Sequence, residues 1–279
     1  MYRFLRRACL LEEQGLDNPT AGKNVAVTSA GVYGTWAFLP VTDFTTITSR
    51  PSTALQKKRV NGKKLLVGNN ANEGALFVPP IISTLDDLKA WLRQEFPTFT
   101  ADDIQRVLNA YPSTDEPVSP SDPKFATNGL GPATAVNVSQ VATGQQQRAN
   151  NIFAEATFVC PSYWLNNAYS GSSLTSYHYQ YSVPFASHGD DVSGYFGPAT
   201  PNQSPSFFLA FRQIWGNFIK TGNPSVPADP VLKKFPTWQE GQSAMMVNLN
   251  TTGGTPYEGD NAVWSYCDAV QRSRVAERF

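Results

Sequence analysis

The chain has 279 residues with 22 basic and 22 acidic side chains, so its formal net charge is zero and only 16% of it is charged. This balance excludes the basic excess that nucleic-acid or anionic-membrane binding needs, and a content of 41% hydrophobic and 12% aromatic residues excludes a disordered chain. No apolar run reaches 18 residues, so no transmembrane helix is expected.

Residues 1–35 read as a poorly defined N-terminal segment: a short charged helix from Phe4 to Gln14, then a Gly/Asn/Thr-rich loop. Its basic start lacks a sustained apolar stretch and makes a poor signal peptide. Residues 36–279 form the main unit. Trp36 to Val41 is an apolar run ended by Pro40 and Asp43. After the basic Lys57-Lys58-Arg59 and a turn at Asn61-Gly62 comes the first core strand, Leu65 to Gly68. Short, unbroken and apolar, it is expected to be covered on both faces in a parallel sheet. Two helices carry hydroxyl–acid start signals. Thr84-x-x-Asp87 opens Leu85 to Phe96, and Thr100-x-x-Asp103 opens Ala101 to Tyr111. Leu85, Leu88, Trp91 and Leu92 recur at helical spacing and predict the buried face of the first.

Gln140 to Ala168 predicts two helical pieces broken near Pro161. Ser176 to Val183 alternates and is rich in aromatics, which predicts a strand. Pro205 to Thr221 predicts a long helix with Phe207, Phe208, Phe211, Ile214, Trp215, Phe218 and Ile219 as its apolar face. Gly222 stops it and Pro224 prevents continuation. Met245 to Leu249 reads as the last strand and Asn261 to Phe279 as a terminal helix. Strands separated by helical connections indicate α/β architecture, but three strands are too few for a complete doubly wound sheet.

Several motifs then fall in one order: Asn72-Glu73-Gly74 after a strand, Val159-Cys160-Pro161, a Tyr-rich strand before His188-Gly189, and Trp215-Gly216-Asn217-Phe218-Ile219-Lys220-Thr221-Gly222-Asn223-Pro224, followed by Trp238 and Cys267. This ordered set resembles the type-B carboxylesterase/lipase family, the cholinesterase-like branch of α/β-hydrolases, and is most like its extracellular fungal members. The resemblance implies the C-terminal portion of an α/β-hydrolase fold, with an incomplete central sheet packed with helices.

Alone, a Glu in an Asn/Gly turn is most often a solvated turn residue, and a His before Gly is most often structural. By resemblance Glu73 is the acid and His188 the general base of a Ser-Glu-His triad. There a histidine takes the proton from an attacking hydroxyl while the carboxylate fixes its tautomer. Both follow core strands, so both are expected at one edge of the sheet. The nucleophile's Gly-x-Ser-x-Gly elbow occurs nowhere in the 279 residues. Thr28-Ser29-Ala30-Gly31 is a poor substitute, because Val27 stands where the strained elbow needs a small residue. Neither the glycine-rich oxyanion loop nor the amide after the serine is present. The chain by itself is therefore expected to be inactive in ester hydrolysis.

His178 reads as a strand residue, packed or exposed, and a metal site from His178, His188, Asp190 and Asp191 matches no defensible spacing. No cofactor is implied. Cys160 and Cys267 resemble a family disulfide. The two lie 107 residues apart, and closing such a loop contributes roughly 4–5 kcal/mol in the chain-entropy view. Two buried reduced thiols are the alternative, and Cys9 has no assigned role. Sequons at Asn137, Asn202 and Asn250 are candidate N-glycosylation sites, in line with the secreted localisation that the resemblance implies. Asp43 is followed by Phe44 where the family usually has glycine, so a distorted turn is expected there. A small-molecule or lipid ester is the implied substrate, and self-association through an exposed sheet edge is a further expectation. Two other readings stay open: a non-catalytic, partner-binding relative, and a truncated product without activity.

Overall fold

The computed structural model describes residues 33–34, 41–111, 144–171, 173–183, 186–229, 232–238, 245–250 and 253–258. The helices expected at Phe4–Gln14 and Asn261–Phe279, the run from Trp36 to Pro40, Ser29, Asn137 and Cys267 lie outside them.

A short helix α1 (Pro51–Gln56) precedes strand β1 (Lys64–Asn70). Helices α2 (Leu85–Glu95) and α3 (Ala101–Ala110) follow, each opened by the expected reciprocal cap. Thr84 and Thr100 accept from the backbone N–H of Asp87 and Asp103, whose carboxylates accept from the threonine N–H groups in return. On α2, Leu88, Trp91 and Leu92 are buried, whereas Leu85, in its first turn, is 40% exposed and does not join the expected face.

The stretch expected to break near Pro161 is instead one continuous helical path: α4 (Gly144–Ala154), a π-helical turn (Glu155–Val159) and α5 (Cys160–Ala168). Proline lacks an N–H donor and crowds the carbonyl four residues back. The widened turn just before Pro161 absorbs that misfit, so the helix bulges and does not end. Strand β2 (Thr175–Tyr181), helix α6 (Val192–Phe196) and helix α7 (Pro205–Thr221) come next. Ser204 caps α7, and Gly222 stops it in the left-handed region at φ 70°. Phe207, Phe211 and Ile214 are its buried residues; Ile219, expected on the same face, is 77% exposed.

Strand β3 (Met245–Asn250) is not the last one, because β4 (Gly253–Glu258) folds back antiparallel on it. The sheet order is β1-β2-β3-β4, and β1, β2 and β3 run parallel. The central strand β2 sorts its side chains by parity. Tyr177, Tyr179 and Tyr181 pack into the cluster around α7, with Tyr179 edge-on to Phe211 and Tyr181 edge-on to Phe207. His178 points the other way, against Tyr163 and Trp238 of the cluster formed by α2 to α5. Coverage of β1 is less complete than its apolar sequence predicts. Leu65 and Val67 are half-buried, and the deepest part is its polar end, Asn69 and Asn70. Among the described residues β1 pairs only with β2, so its outer edge carries no strand partner.

Candidate active site

Parallel pairing brings the carboxyl ends of β1 and β2 to the same edge of the sheet. The register continues past the strands: Ala71 N–H donates to the Tyr181 carbonyl, Asn72 N–H donates to the Ala186 carbonyl, and Asn72 bridges Ser187. The residue after each of these bridging positions is Glu73 on one side and His188 on the other. Backbone pairing alone thus sets the two side chains face to face.

Glu73 is 4% exposed. One carboxylate oxygen accepts from the Asn70 N–H at 2.6 Å, and the other lies 2.7 Å from His188 Nδ1. A buried carboxylate with both oxygens engaged cannot rotate, so it dictates the tautomer opposite it. Nδ1 carries the proton and donates it to Glu73, which leaves Nε2 to accept one. The His188 side chain is 43% exposed. Its affinity for a proton is raised above the ordinary histidine value, chiefly by the hydrogen bond to Glu73, partly opposed by desolvation and reinforced by the charges of Glu73 and Asp191. The turn bearing Glu73 seats directly on α4. A Cβ at Gly74 would lie 1.9 Å from the Asn150 carbonyl oxygen, so no larger residue fits there.

Residues 12–264 match the Carboxylesterase family. The chain belongs to the carboxylesterase family. It is 27% identical over 214 residues to the carboxylesterase patB of Penicillium expansum, an alignment covering 74% of this chain and 34% of patB. The crystal structure of Aspergillus niger EstA superposes with a TM-score of 0.67 at 16% identity, covering 88% of this chain and 46% of EstA. The fold is therefore part of an α/β-hydrolase, and the chain spans about a third to a half of these relatives' length.

The two acidic residues after His188 separate into different tasks. Asp190 closes the histidine loop by accepting from the Ser187 N–H at 2.8 Å. Asp191 faces inward, accepting from Asn70 Nδ2 at 3.1 Å and from the Tyr195 hydroxyl at 2.9 Å. Burial of the Tyr195 phenol, reinforced by the charge of Asp191, pushes it up, so that hydroxyl stays a donor. Asn70 thus serves both carboxylates, the backbone N–H to Glu73 and the side-chain amide to Asp191. It escapes sequence reading because its part depends on the register of β1 at its last residue.

Two aromatic rings flank the imidazole. Phe77 meets it edge-on at 5.0 Å between centroids, and Phe158 lies over it at 4.7 Å with the planes tilted by 39°. Phe77 could have been noticed, since it lies one turn beyond Glu73; Phe158 gives no signal of this kind. His178 stands apart from the site. It is 0% exposed, Nδ1 lies 2.6 Å from the Asn166 amide nitrogen, and Nε2 lies 3.0 Å from Asn69 Oδ1. Both its nitrogens are occupied by amides, and burial lowers its pKa to about 3. Among the described residues, no three His, Cys, Asp or Glu side chains converge as metal ligands. No helix among them is long and apolar enough to cross a membrane. Cys160 is fully buried at the start of α5, and Asn202 is exposed in the turn before α7.

Proposed function

We propose that this chain supplies the acid and the general base of a carboxylic ester hydrolase, with Glu73 and His188 serving an attacking serine that the 279 residues do not contain. The observation that carries the reading is the bond between a buried carboxylate and His188 Nδ1, on an imidazole whose side chain is 43% exposed. In such a pair Nε2 removes the hydroxyl proton as the ester carbonyl is attacked and returns it to the leaving alcohol, while the carboxylate stabilises the imidazolium between the two steps. A pure binding module has no use for that arrangement, which weighs against a non-catalytic role. Without a Gly-x-Ser-x-Gly elbow and its oxyanion donors, the chain alone does not turn over ester. Loss of even one such donor typically costs about 100- to 1,000-fold.

The same reading makes the chain the C-terminal part of a secreted enzyme. Support comes from the bonded state of the Cys160 sulfur, for which Cys267 is the proposed partner, and from the exposed sequon at Asn202 as a glycosylation site. The open edge of β1 is the proposed surface for self-association.

Two assays on a short-chain aryl ester test the function. The 279-residue chain alone is expected to show no turnover above that of its Glu73→Ala variant. Joined to upstream coding sequence that carries a Gly-x-Ser-x-Gly elbow, it is expected to hydrolyse the ester and to lose that activity in His188→Ala. Glu73-dependent turnover by the chain alone would overturn its inactivity. Full activity of the His188→Ala protein would overturn the acid–base assignment.

A further inference from the structure

The π-helical turn at Glu155–Val159 changes which residues share a face. In a regular α-helix, residues five apart lie about 140° apart around the axis. Phe153 and Phe158 are so spaced, yet their rings are 6.3 Å apart, and both contact Phe77 at 5.4 Å. The wider turn brings them to one side, and Phe158 then comes to rest on the His188 ring. The turn is secured at several points. The Cys160 N–H reaches back five residues to the Glu155 carbonyl. Glu155 accepts from the Tyr111 hydroxyl at 2.7 Å, and Ser162 Oγ donates to the Val159 carbonyl at 2.7 Å. Pro161 explains why the helix widens here. It does not explain why the ring carried by the widened turn meets the imidazole, and π-helical turns are frequently found at functional sites.

We infer that the π-helical turn is a positioning device: it carries Phe158 onto His188 and, with Phe77, confines the imidazole to the orientation in which Nδ1 meets Glu73. Phe158 touches no reacting atom in this role and acts through His188. The catalytic value of the device rests on the proposed acid–base function; the confinement itself does not.

The chain contains only two histidines, which makes ring NMR of the full 279-residue protein a direct test. His178, buried and bonded to two amides, reports on the fold, and His188 reports on the site. In Phe158→Ala the His188 ring signals are expected to shift, its titration midpoint to move, and exchange of its Nδ1 proton with solvent to accelerate by about fivefold, the ratio that loss of one ring–ring contact implies. The His178 signals stay in place. Phe158→Leu, which restores bulk, is expected to recover most of the proton's protection. An unchanged His188 titration and exchange rate in Phe158→Ala would overturn the inference. Should Phe158→Ala unfold the chain, seen as loss of the native His178 signals, Phe158→Leu decides: loss of the Nδ1 proton's protection there, despite the restored bulk, would overturn the inference. These readings need no ester turnover, so they stand or fall separately from the hydrolase assignment.

Discussion

The two histidines of this chain lie ten residues apart, one within β2 and the other just beyond it, and the protein treats them in opposite ways. His178 sits at 0% exposure between the amides of Asn69 and Asn166, neutral, with its pKa lowered to about 3. His188 stands at the sheet edge, bonded to a carboxylate, with its proton held more tightly than usual. The ring chemistry is the same in both. Partner type and solvent access make one a structural cross-brace between β1, β2 and α5 and the other a group able to exchange protons. The contrast also gives them opposite pH signatures.

The largest effect expected from breaking this contrast is on catalysis. In a longer protein that carries the serine elbow, Glu73→Gln leaves the geometry nearly intact but reverses the tautomer preference of His188. It is expected to lower kcat by roughly 10⁴ on an aryl ester, whereas changes around His178 leave kcat near its starting value once folding is matched. The kcat/KM profile should fall on its acid side above the ordinary histidine range, because His188 must be neutral to accept a proton.

Acid unfolding comes next. The folded-state pKa of His178 lies below its unfolded value of about 6.5, so the unfolded chain binds more protons between those two values. Stability is then complete above about pH 6.5 and is lost progressively as pH falls toward 3, a contribution on the order of 5 kcal/mol. His188 acts with the opposite sign. Its contribution is complete below the ordinary histidine pKa and is lost as pH rises through its raised value. Urea unfolding across this pH range checks both directions; flat stability from pH 7 to pH 4 would contradict the buried assignment of His178.

A smaller effect is expected from Asn166→Ala, which leaves His178 Nδ1 without its donor and should destabilise by about 2 kcal/mol in urea unfolding while leaving the NMR titration of His188 unmoved. The smallest concerns the turn at Phe44. Phe44 adopts φ 60°, is 79% exposed, and sits in a turn where Asp43 Oδ1 accepts from the N–H groups of Thr45, Thr46 and Ile47. Replacing it with glycine relieves a left-handed residue without removing packing. A gain of about 0.5–1 kcal/mol is expected, read as a higher Tm with both histidine titrations unchanged.

Local chemistry was legible wherever it acts within a few residues. The caps at Thr84 and Thr100, the Pro205-to-Gly222 limits of α7 and the alternating aromatics of β2 follow from short-range rules that neighbouring elements do not override. The candidate pair was legible through motif order, since Asn72-Glu73-Gly74 and His188-Gly189 each follow a strand of a parallel sheet. Where periodicity failed, an element ended or changed form. Leu85 lies in the first turn of α2 and Ile219 in the last turn of α7, and both side chains are exposed. The bulge before Pro161 trades a break for a wider turn.

By itself, the sequence determined helices α2, α3 and α7, strands β1 to β3, the caps of α2 and α3 and the absence of a nucleophile elbow, because each depends on neighbouring residues along the chain. Tertiary structure alone decided that Asn70 serves two carboxylates, that Phe158 reaches the imidazole through a π-helical turn, and that one histidine is sealed while the other is poised. Those outcomes depend on strand register, helical pitch and burial, which arise only when segments distant in sequence pack together.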